Sequence, residues 1–572
     1  MDNVLTKIKP SWLQGTSLLA ILIFSAYFPT FQNSFIWDDN RYLTQNPYLK
    51  DIEGLKRFWL DLSAMPQYYP MVFTSFWVEH KIWGFDPIGY HVDNVVIHYM
   101  NAFILWRILV FMEIRGSWLG AAVFAIHPIQ VETVAWITER KNLLSGLFLF
   151  LSLYTFIRFY DPAPGVGSNI SKNKIKTWSM YGVSLLFFLC ALWSKTVTCI
   201  LPAVILLIFW WKQNRVSKEV FLLTVPYFVF GLSFAFLTTW LEKFNVGAIG
   251  PEWEFSFIDR FLIAGKALWF YIGKLIFPFP LIFTYPRWTI DDSIWWQYLY
   301  PLAFIALFFI LGLFRNRIGR GPLAGILLFS GTLFPALGFF NVYPMRFSFV
   351  ADHFQYLACI GIIVPFSCGI EMLVDRFKHY IIRVFIICFL SLLGVLTWNQ
   401  SHVYKNVFSL WNDTTEKNPG AWMAHYNLGL EYANLGNAGL AVRSYELAIK
   451  YKPDHYKAHF NLGNSYRILG RFEESVESYY NALAVNPEHV MSWINLGIIL
   501  GKLNKNKLAI SAISKAIELR PEYANAHYNL GIIYAEEGQF ENAKEEFENV
   551  LQIDPDDQEA QNAINILDKK IK

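Results

Sequence analysis

Charge is what this sequence has least of. Only 16% of its 572 residues are Asp, Glu, Lys or Arg, where a soluble chain carries about 25%. The formal net charge of +3 is too small to hold a polyphosphate, so no nucleic-acid partner is expected. Cysteine is scarce as well. Cys190, Cys199, Cys359, Cys368 and Cys388 all fall in or beside apolar runs, with the spacing of neither a metal site nor a disulfide framework. No small-residue cleavage site follows the first apolar run, Ser17 to Phe31, so that run is expected to be an uncleaved span rather than a signal peptide.

What the chain has is apolar surface: 54% hydrophobic residues and 18% aromatics. That balance suits a bilayer and its interfaces, where Trp and Tyr anchor helix ends. Apolar runs of about 20 residues, the length that crosses a bilayer, fall at 14–31, 94–112, 117–136, 142–159, 178–194, 196–211, 220–240, 296–314, 322–340, 355–373 and 382–399. They predict about 11 spans. Lys7 and Lys9, and the loops Arg107 to Arg115, Arg158 to Lys176, Lys212 to Lys218, Arg315 to Arg320 and Asp375 to Arg383, then share the cytoplasmic side. Phe261 to Pro278 is apolar but carries Lys266 and Lys274, and is read as re-entrant or interfacial. With this count the loop 32–93 and everything after Gln400 face outward.

The second half has a different period. Asn418-Pro419, Lys452-Pro453, Asn486-Pro487, Arg520-Pro521 and Asp554-Pro555 recur every 34 residues, and Asn-Leu-Gly recurs at Asn427, Asn461, Asn495 and Asn529. This is the period of the tetratricopeptide helix–turn–helix, whose hairpins bury their apolar faces only by stacking. The predicted fold class is therefore all-α: a polytopic transmembrane helical bundle at 1–400, a linker at 401–418, a solenoid of four tetratricopeptide repeats at 419–555, and a capping helix at 556–572. Such repeats bind other proteins far more often than they catalyse. The four Asn share one position on the first helix of each pair. They predict a ladder of carboxamides on the concave face, each with a donor and an acceptor for the main chain of an acceptor peptide.

Polar clusters gather at the outward ends of the spans. Asp38 and Asp39 lie just past the first span: either a proton acceptor for a hydroxyl or an ordinary loop end. His127 and Glu132 precede Glu139-Arg140-Lys141. Lys195 sits in a very short turn, and Arg346, Asp352 and His353 share one loop. Cations at outer span ends oppose the positive-inside trend and need water or a partner. Arg140, Lys141, Lys195 and Arg346 suit a phosphate; the alternative is that they reach head groups or pair with Glu132 and Glu139.

Phe35-Ile36-Trp37-Asp38-Asp39, Tyr69-Pro70, His127-Pro128 with Glu132, Arg140 with Leu143-Leu144, Ser194-Lys195 and Asp352 to Leu357, in this order, resemble the TMTC family of transmembrane, tetratricopeptide-repeat protein O-mannosyltransferases and its bacterial relatives. That family is similar to the GT-C glycosyltransferases. The resemblance implies transfer of a sugar from a polyprenyl-phosphate carrier to a protein hydroxyl on the outer face. It puts the catalytic role on Asp38, with Asp39 as the close alternative, and makes Arg140 and Lys195 ligands of the donor phosphate. No cofactor is required; a divalent ion at Asp38 and Asp39 stays an open alternative that the step does not require. The chain departs from the family pattern at Asn142, where an acid is frequent, at His353, where Arg is usual, and at Ala358, where Pro is usual. The implied setting is a bacterial inner membrane with periplasmic repeats, or an endoplasmic-reticulum membrane with lumenal ones. A non-catalytic, membrane-anchored scaffold for envelope assembly is the competing reading.

Overall fold

The computed structural model describes residues 12–160, 174–377 and 380–571. Lys7, Lys9, Lys572, most of the loop between Arg158 and Lys176, and the middle of Asp375 to Arg383 lie outside them. Every regular element among the described residues is helical. The chain divides into two units, Met1–Asp413 and Thr414–Lys572.

In the first unit six helices are long and apolar enough to cross a membrane: Pro87–Phe111, Ile137–Phe159, Thr196–Gln213, Lys218–Val246, Trp295–Ile318 and Tyr380–Tyr404. Ser117–Ile126 and Pro128–Ala135, bent by 52°, make a seventh. The other four expected spans are shorter or more charged. Trp12–Ala26, Trp178–Ser194 and Gly321–Ala336 are apolar but short. Ile360–Phe377 brings in Glu371, Asp375 and Arg376 at its basic-loop end. Phe257–Ile276, expected to be re-entrant or interfacial, is one continuous helix with a Ser256–Asp259 capping box, which leaves the interfacial alternative. Its lysines are accommodated without unwinding. The Lys266 ammonium lies 4.6 Å from the Trp288 ring centre. Lys274 rests against Phe270 and Tyr285 and donates to the Pro280 carbonyl at 2.6 Å.

Backbone groups and side-chain polar atoms within these spans must find partners inside the protein, because lipid supplies none. His98 does so with both ring nitrogens. Nε2 donates to the Ala125 carbonyl at 2.8 Å, which leaves Nδ1 to accept the Tyr356 hydroxyl at 2.9 Å. Asn101 donates to the same hydroxyl and to the Leu143 carbonyl, both at 2.9 Å. Elsewhere helices meet through absent side chains: a Cβ at Gly325 or at Gly361 would collide with the other's carbonyl oxygen, the close approach that small residues permit between membrane helices. The stretch 401–418 is itself helical, over His402–Tyr404 and Val407–Lys417, with Leu410 and Trp411 fully buried.

The second unit is a stack of hairpins: Trp422–Asn434 with Ala438–Tyr451, Tyr456–Ile468 with Phe472–Val485, Val490–Lys502 with Asn506–Leu519, and Ala524–Glu536 with Phe540–Ile553. Gln558–Ile571 closes it through Ala560, Ile564 and Leu567 against Ala543, Phe547 and Val550. Within three of the hairpins the Gly of Asn-Leu-Gly lets a ring approach, and in the third hairpin, at Gly497, the side chain of Ile513: a Cβ at Gly463 would sit 2.7 Å from Tyr479. First helices of successive hairpins pack on one another, which places them on the inner side of the superhelix.

A second 34-residue signal was present in the sequence and not read from it. His425, His459, Trp493 and His527 occupy one repeat position, and each donates a ring N–H to the carbonyl of the preceding turn's proline: Pro419 at 2.9 Å, Pro453 at 2.8 Å, Pro487 at 2.8 Å and Pro521 at 2.9 Å. Trp has no acceptor nitrogen, so the donor is what the position selects. His459→Ala removes a bond worth about 1 kcal/mol and is expected to raise hydrogen exchange in the Pro453 turn. His459→Trp, the residue one repeat further on, is expected to exchange like the parent. Equal exchange in both variants and the parent would make the clamp incidental.

Candidate functional site

The residues Ile36 to Asn40 form a tight corner. Trp37 has φ of 42°, a left-handed conformation that costs a bulky residue about 1–3 kcal/mol. Packing offsets it. The Trp37 ring stacks on Trp136 at 5.4 Å and meets Phe283 and Trp411 edge-on at 5.5 and 5.8 Å.

The corner gives its two carboxylates opposite surroundings. Asp39 is fully buried. One oxygen accepts the Ile36 N–H at 2.9 Å; the other accepts the Thr138 N–H at 2.9 Å and the Thr138 hydroxyl at 2.6 Å. Burial pushes Asp39 up to about 7, against those three bonds. Asp38 is half-buried, and among the described residues no hydrogen bond or ion pair engages its carboxylate. Burial raises it too; the charges of Lys141 and Arg41 oppose that rise, and Glu139 adds to it.

Thr138 belongs to the turn that opens the helix Arg140–Phe159, and the next residue is a hub. Glu139 is fully buried. It pairs with Lys141 at 2.9 Å and Lys195 at 3.6 Å, faces His353 Nε2 at 3.8 Å, and accepts from Asn142 at 2.7 Å. Asn142 also donates to the His353 carbonyl at 2.9 Å and accepts from Lys195 at 2.7 Å. A carboxylate at 142 would lack those donors and repel Glu139, so the departure to Asn suits this neighbourhood. His353 Nδ1 and backbone N–H both meet Glu132, each at 2.9 Å. Lys141 and Lys195 share the Glu139 carboxylate, and their side chains keep a narrow opening to solvent. Those three groups carry a net single positive charge beside Asp38. Burial lowers Lys195 to about 8, though Glu139 pulls it upward.

The Arg140 side chain, expected to bind donor phosphate, is engaged elsewhere. Its guanidinium is fully buried. Nε donates to Asn94, Nη1 pairs with Glu79 and reaches Ser75 at 3.5 Å, and Nη2 donates to the Tyr90 carbonyl at 2.9 Å. These partners hold the helix Pro70–Trp83 and the span Pro87–Phe111 against the site. A phosphate would have to displace Glu79. Arg346 is also committed: it pairs with Glu252 at 3.2 Å, donates to the Tyr343 hydroxyl at 2.9 Å and lies among Trp253, Tyr343 and Phe347. His127 pins the helix break, accepting from Ile129 N–H at 3.3 Å and donating to the Leu275 carbonyl at 3.1 Å. Asp352 accepts the Tyr285 hydroxyl at 3.0 Å. Glu79, Thr138 and Glu242 were missed. Glu242 accepts from Gln67 at 2.8 Å and feels the charges of both lysines.

In the repeats, Asn427, Asn461, Asn495 and Asn529 are each half-buried. Their amide nitrogens already donate, to Met423 O, Tyr426 hydroxyl, Asn464 Oδ1 and Asn525 O at 2.8, 3.3, 2.9 and 2.7 Å. The ladder therefore offers mainly carbonyl oxygens.

The two units define an apolar helical membrane domain joined to a tetratricopeptide array. Family models for the tetratricopeptide repeat match residues 456–489 and 524–557, and 424–455; a TPR repeat model matches 499–538. The curated relatives are TMTC-type proteins, and the chain is TMTC-like. It is 24% identical over 467 residues to the protein O-mannosyl-transferase F38B6.6 of Caenorhabditis elegans, covering 77% of this chain and 64% of that one. Over 157 residues it is 29% identical to mouse protein O-mannosyl-transferase TMTC2, covering 25% of this chain and 19% of the relative. The chain thus spans less than two thirds of the curated relatives it matches. Among solved structures, the crystal structure of MamA protein is 25% identical over 26% of this chain and 80% of its own, with a TM-score of 0.25.

Arg140→Ala would strand Glu79 as a buried carboxylate, at about 3–5 kcal/mol. Its melting temperature in detergent is expected to collapse, whereas Lys195→Ala, which leaves Glu139 paired with Lys141, melts within a few degrees of the parent. An Arg140→Ala protein as stable as the parent would free Arg140 for ligand binding.

Proposed function

We propose that the chain is an integral-membrane glycosyltransferase that moves a mannose-like sugar from a polyprenyl-phosphate carrier to a hydroxyl of a protein. The observation that carries this reading is the unengaged Asp38 carboxylate in the field of Lys141, which shares the buried Glu139 carboxylate with Lys195. Asp38 takes the proton of the acceptor hydroxyl. That oxygen forms the new bond to the anomeric carbon as the bond to the phosphate oxygen breaks, with inversion. The bonding pair leaves on polyprenyl phosphate, already an anion, so no general acid and no metal ion enters the step. Lys141 and Lys195 stabilise the growing phosphate charge in a partly dry site. The names of the O-mannosyl-transferase relatives support the sugar and the protein acceptor.

The same proposal sets the orientation. The basic loops face the cytoplasm. Asp38 and the repeats face outward, in a bacterial inner membrane with the repeats in the periplasm. The inner helices of the repeats, with their four Asn oxygens, hold the acceptor polypeptide while its Ser or Thr is presented.

Asp38→Asn is expected to lower kcat by about 10²- to 10⁴-fold with the melting temperature unchanged. Asp39→Asn would place an amide against the Thr138 and Ile36 donors, so it is expected to lose stability and activity together. Full activity in Asp38→Asn sinks the proposal.

Lys195 supplies a pH signature. Its ammonium is present below about 8 and lost above it, so the KM for the lipid-phosphate sugar rises as pH climbs through that value while KM for the acceptor stays level. In Lys195→Arg, whose guanidinium keeps its charge, the rise should vanish. An unchanged inflection there would assign it to another group.

A further inference from the structure

An apolar slot of about 380 Å³ lies inside the membrane domain, away from the polar cluster. It runs between the helices Pro87–Phe111, Arg140–Phe159, Leu201–Gln213, Gly321–Leu333 and Ile360–Phe377. Its two ends differ. Toward Lys195 its lining includes Val204, Thr332 and Leu357, all buried, and the half-buried Ile200. At the other end its lining includes Ile318 and Met372, 51% and 52% exposed. That is the basic-loop end. Ile114, Trp211 and Gly321 line the mouth, and their chain neighbours are Arg115, Lys212 and Arg320.

We propose that this slot holds one acyl chain of an anionic phospholipid of the cytoplasmic leaflet, with the head group among Arg115, Lys212 and Arg320. Three observations fix the occupant. The lining residues that are exposed, Ile318, Gly369 and Met372, all lie toward the basic end, the side from which a lipid of that leaflet enters. Ile200 and Trp211 line opposite ends, 11 residues apart, which at 1.5 Å per residue is about 16 Å, the depth of one leaflet of a hydrocarbon core about 30 Å thick. The mouth carries positive charge, which an anionic head group matches. Arg115 is paired with Asp375 at 3.6 Å, and Lys212 donates to the Met112 carbonyl; among the described residues Arg320 has no ion pair. Arg320 is therefore the cation left for the head group.

The leaflet assignment rests on the orientation proposed above; occupancy of the slot does not, so the two fail separately. The test uses the full-length protein in phosphatidylcholine vesicles containing a trace of phosphatidylglycerol spin-labelled near its chain end, with electron paramagnetic resonance reading the immobilised fraction. The parent is expected to hold an immobilised component that unlabelled phosphatidylglycerol displaces and phosphatidylcholine does not. Ile208→Trp, which fills the slot, should abolish it. Arg320→Gln, at the rim where packing is not disturbed, should cut the preference for phosphatidylglycerol about fivefold, equivalent to about 1 kcal/mol. An immobilised component that survives Ile208→Trp in a protein of parental melting temperature overturns the proposal. So does equal displacement by phosphatidylcholine, unchanged preference in Arg320→Gln, or displacement by polyprenyl phosphate alone.

Discussion

The membrane half is organised around one buried cation. Arg140 heads the helix Arg140–Phe159 and spends its guanidinium on Glu79, Asn94, Ser75 and the Tyr90 carbonyl. A charge taken out of water must be repaid by good geometry on every side, and this one draws the helix Pro70–Trp83 and a span onto the helix it starts. The two residues before it then have fixed places. Thr138 locks Asp39, and Glu139 gathers Lys141, Lys195 and Asn142. The polar site is held in position by an ion pair that is not part of it.

Two aspartates next to each other in the chain share almost nothing else. At the Trp37 corner the backbone turns so that one carboxylate is saturated by N–H and O–H donors and the other is left to the opening. The corner survives its unfavourable φ because three rings, Trp136, Phe283 and Trp411, surround Trp37. Binding strength and chemical availability have thus been divided between adjacent identical side chains.

How much of this was legible follows from the range of each signal. The repeats were, because a 34-residue period repeats the same local demands and every copy reinforces the rest. Most apolar segments were, because bilayer thickness sets their length; in the helix Phe257–Ile276 the rings against Lys266 and Lys274 are nothing a local pattern shows. The gathering of Lys141, Lys195 and His353 around one turn follows from their shared position at span ends opposite the basic loops. The roles of Arg140 and Arg346 did not, because an arginine looks the same whether its partner is a ligand or a glutamate 61 residues away. Choosing between Asp38 and Asp39 needed the Thr138 contact, which spans 99 residues.

The Gly325–Gly361 crossing has a geometrical corollary. Two rigid rods that touch at a single point and are not parallel must separate on either side of it. Here the touch is backbone on backbone, so the crossing acts as a fulcrum. The slot beside it is lined by both glycines and by Pro365, and cannot be filled by making either glycine larger without prising the fulcrum apart. Vacant volume at that depth is a by-product of how closely the two helices are allowed to meet.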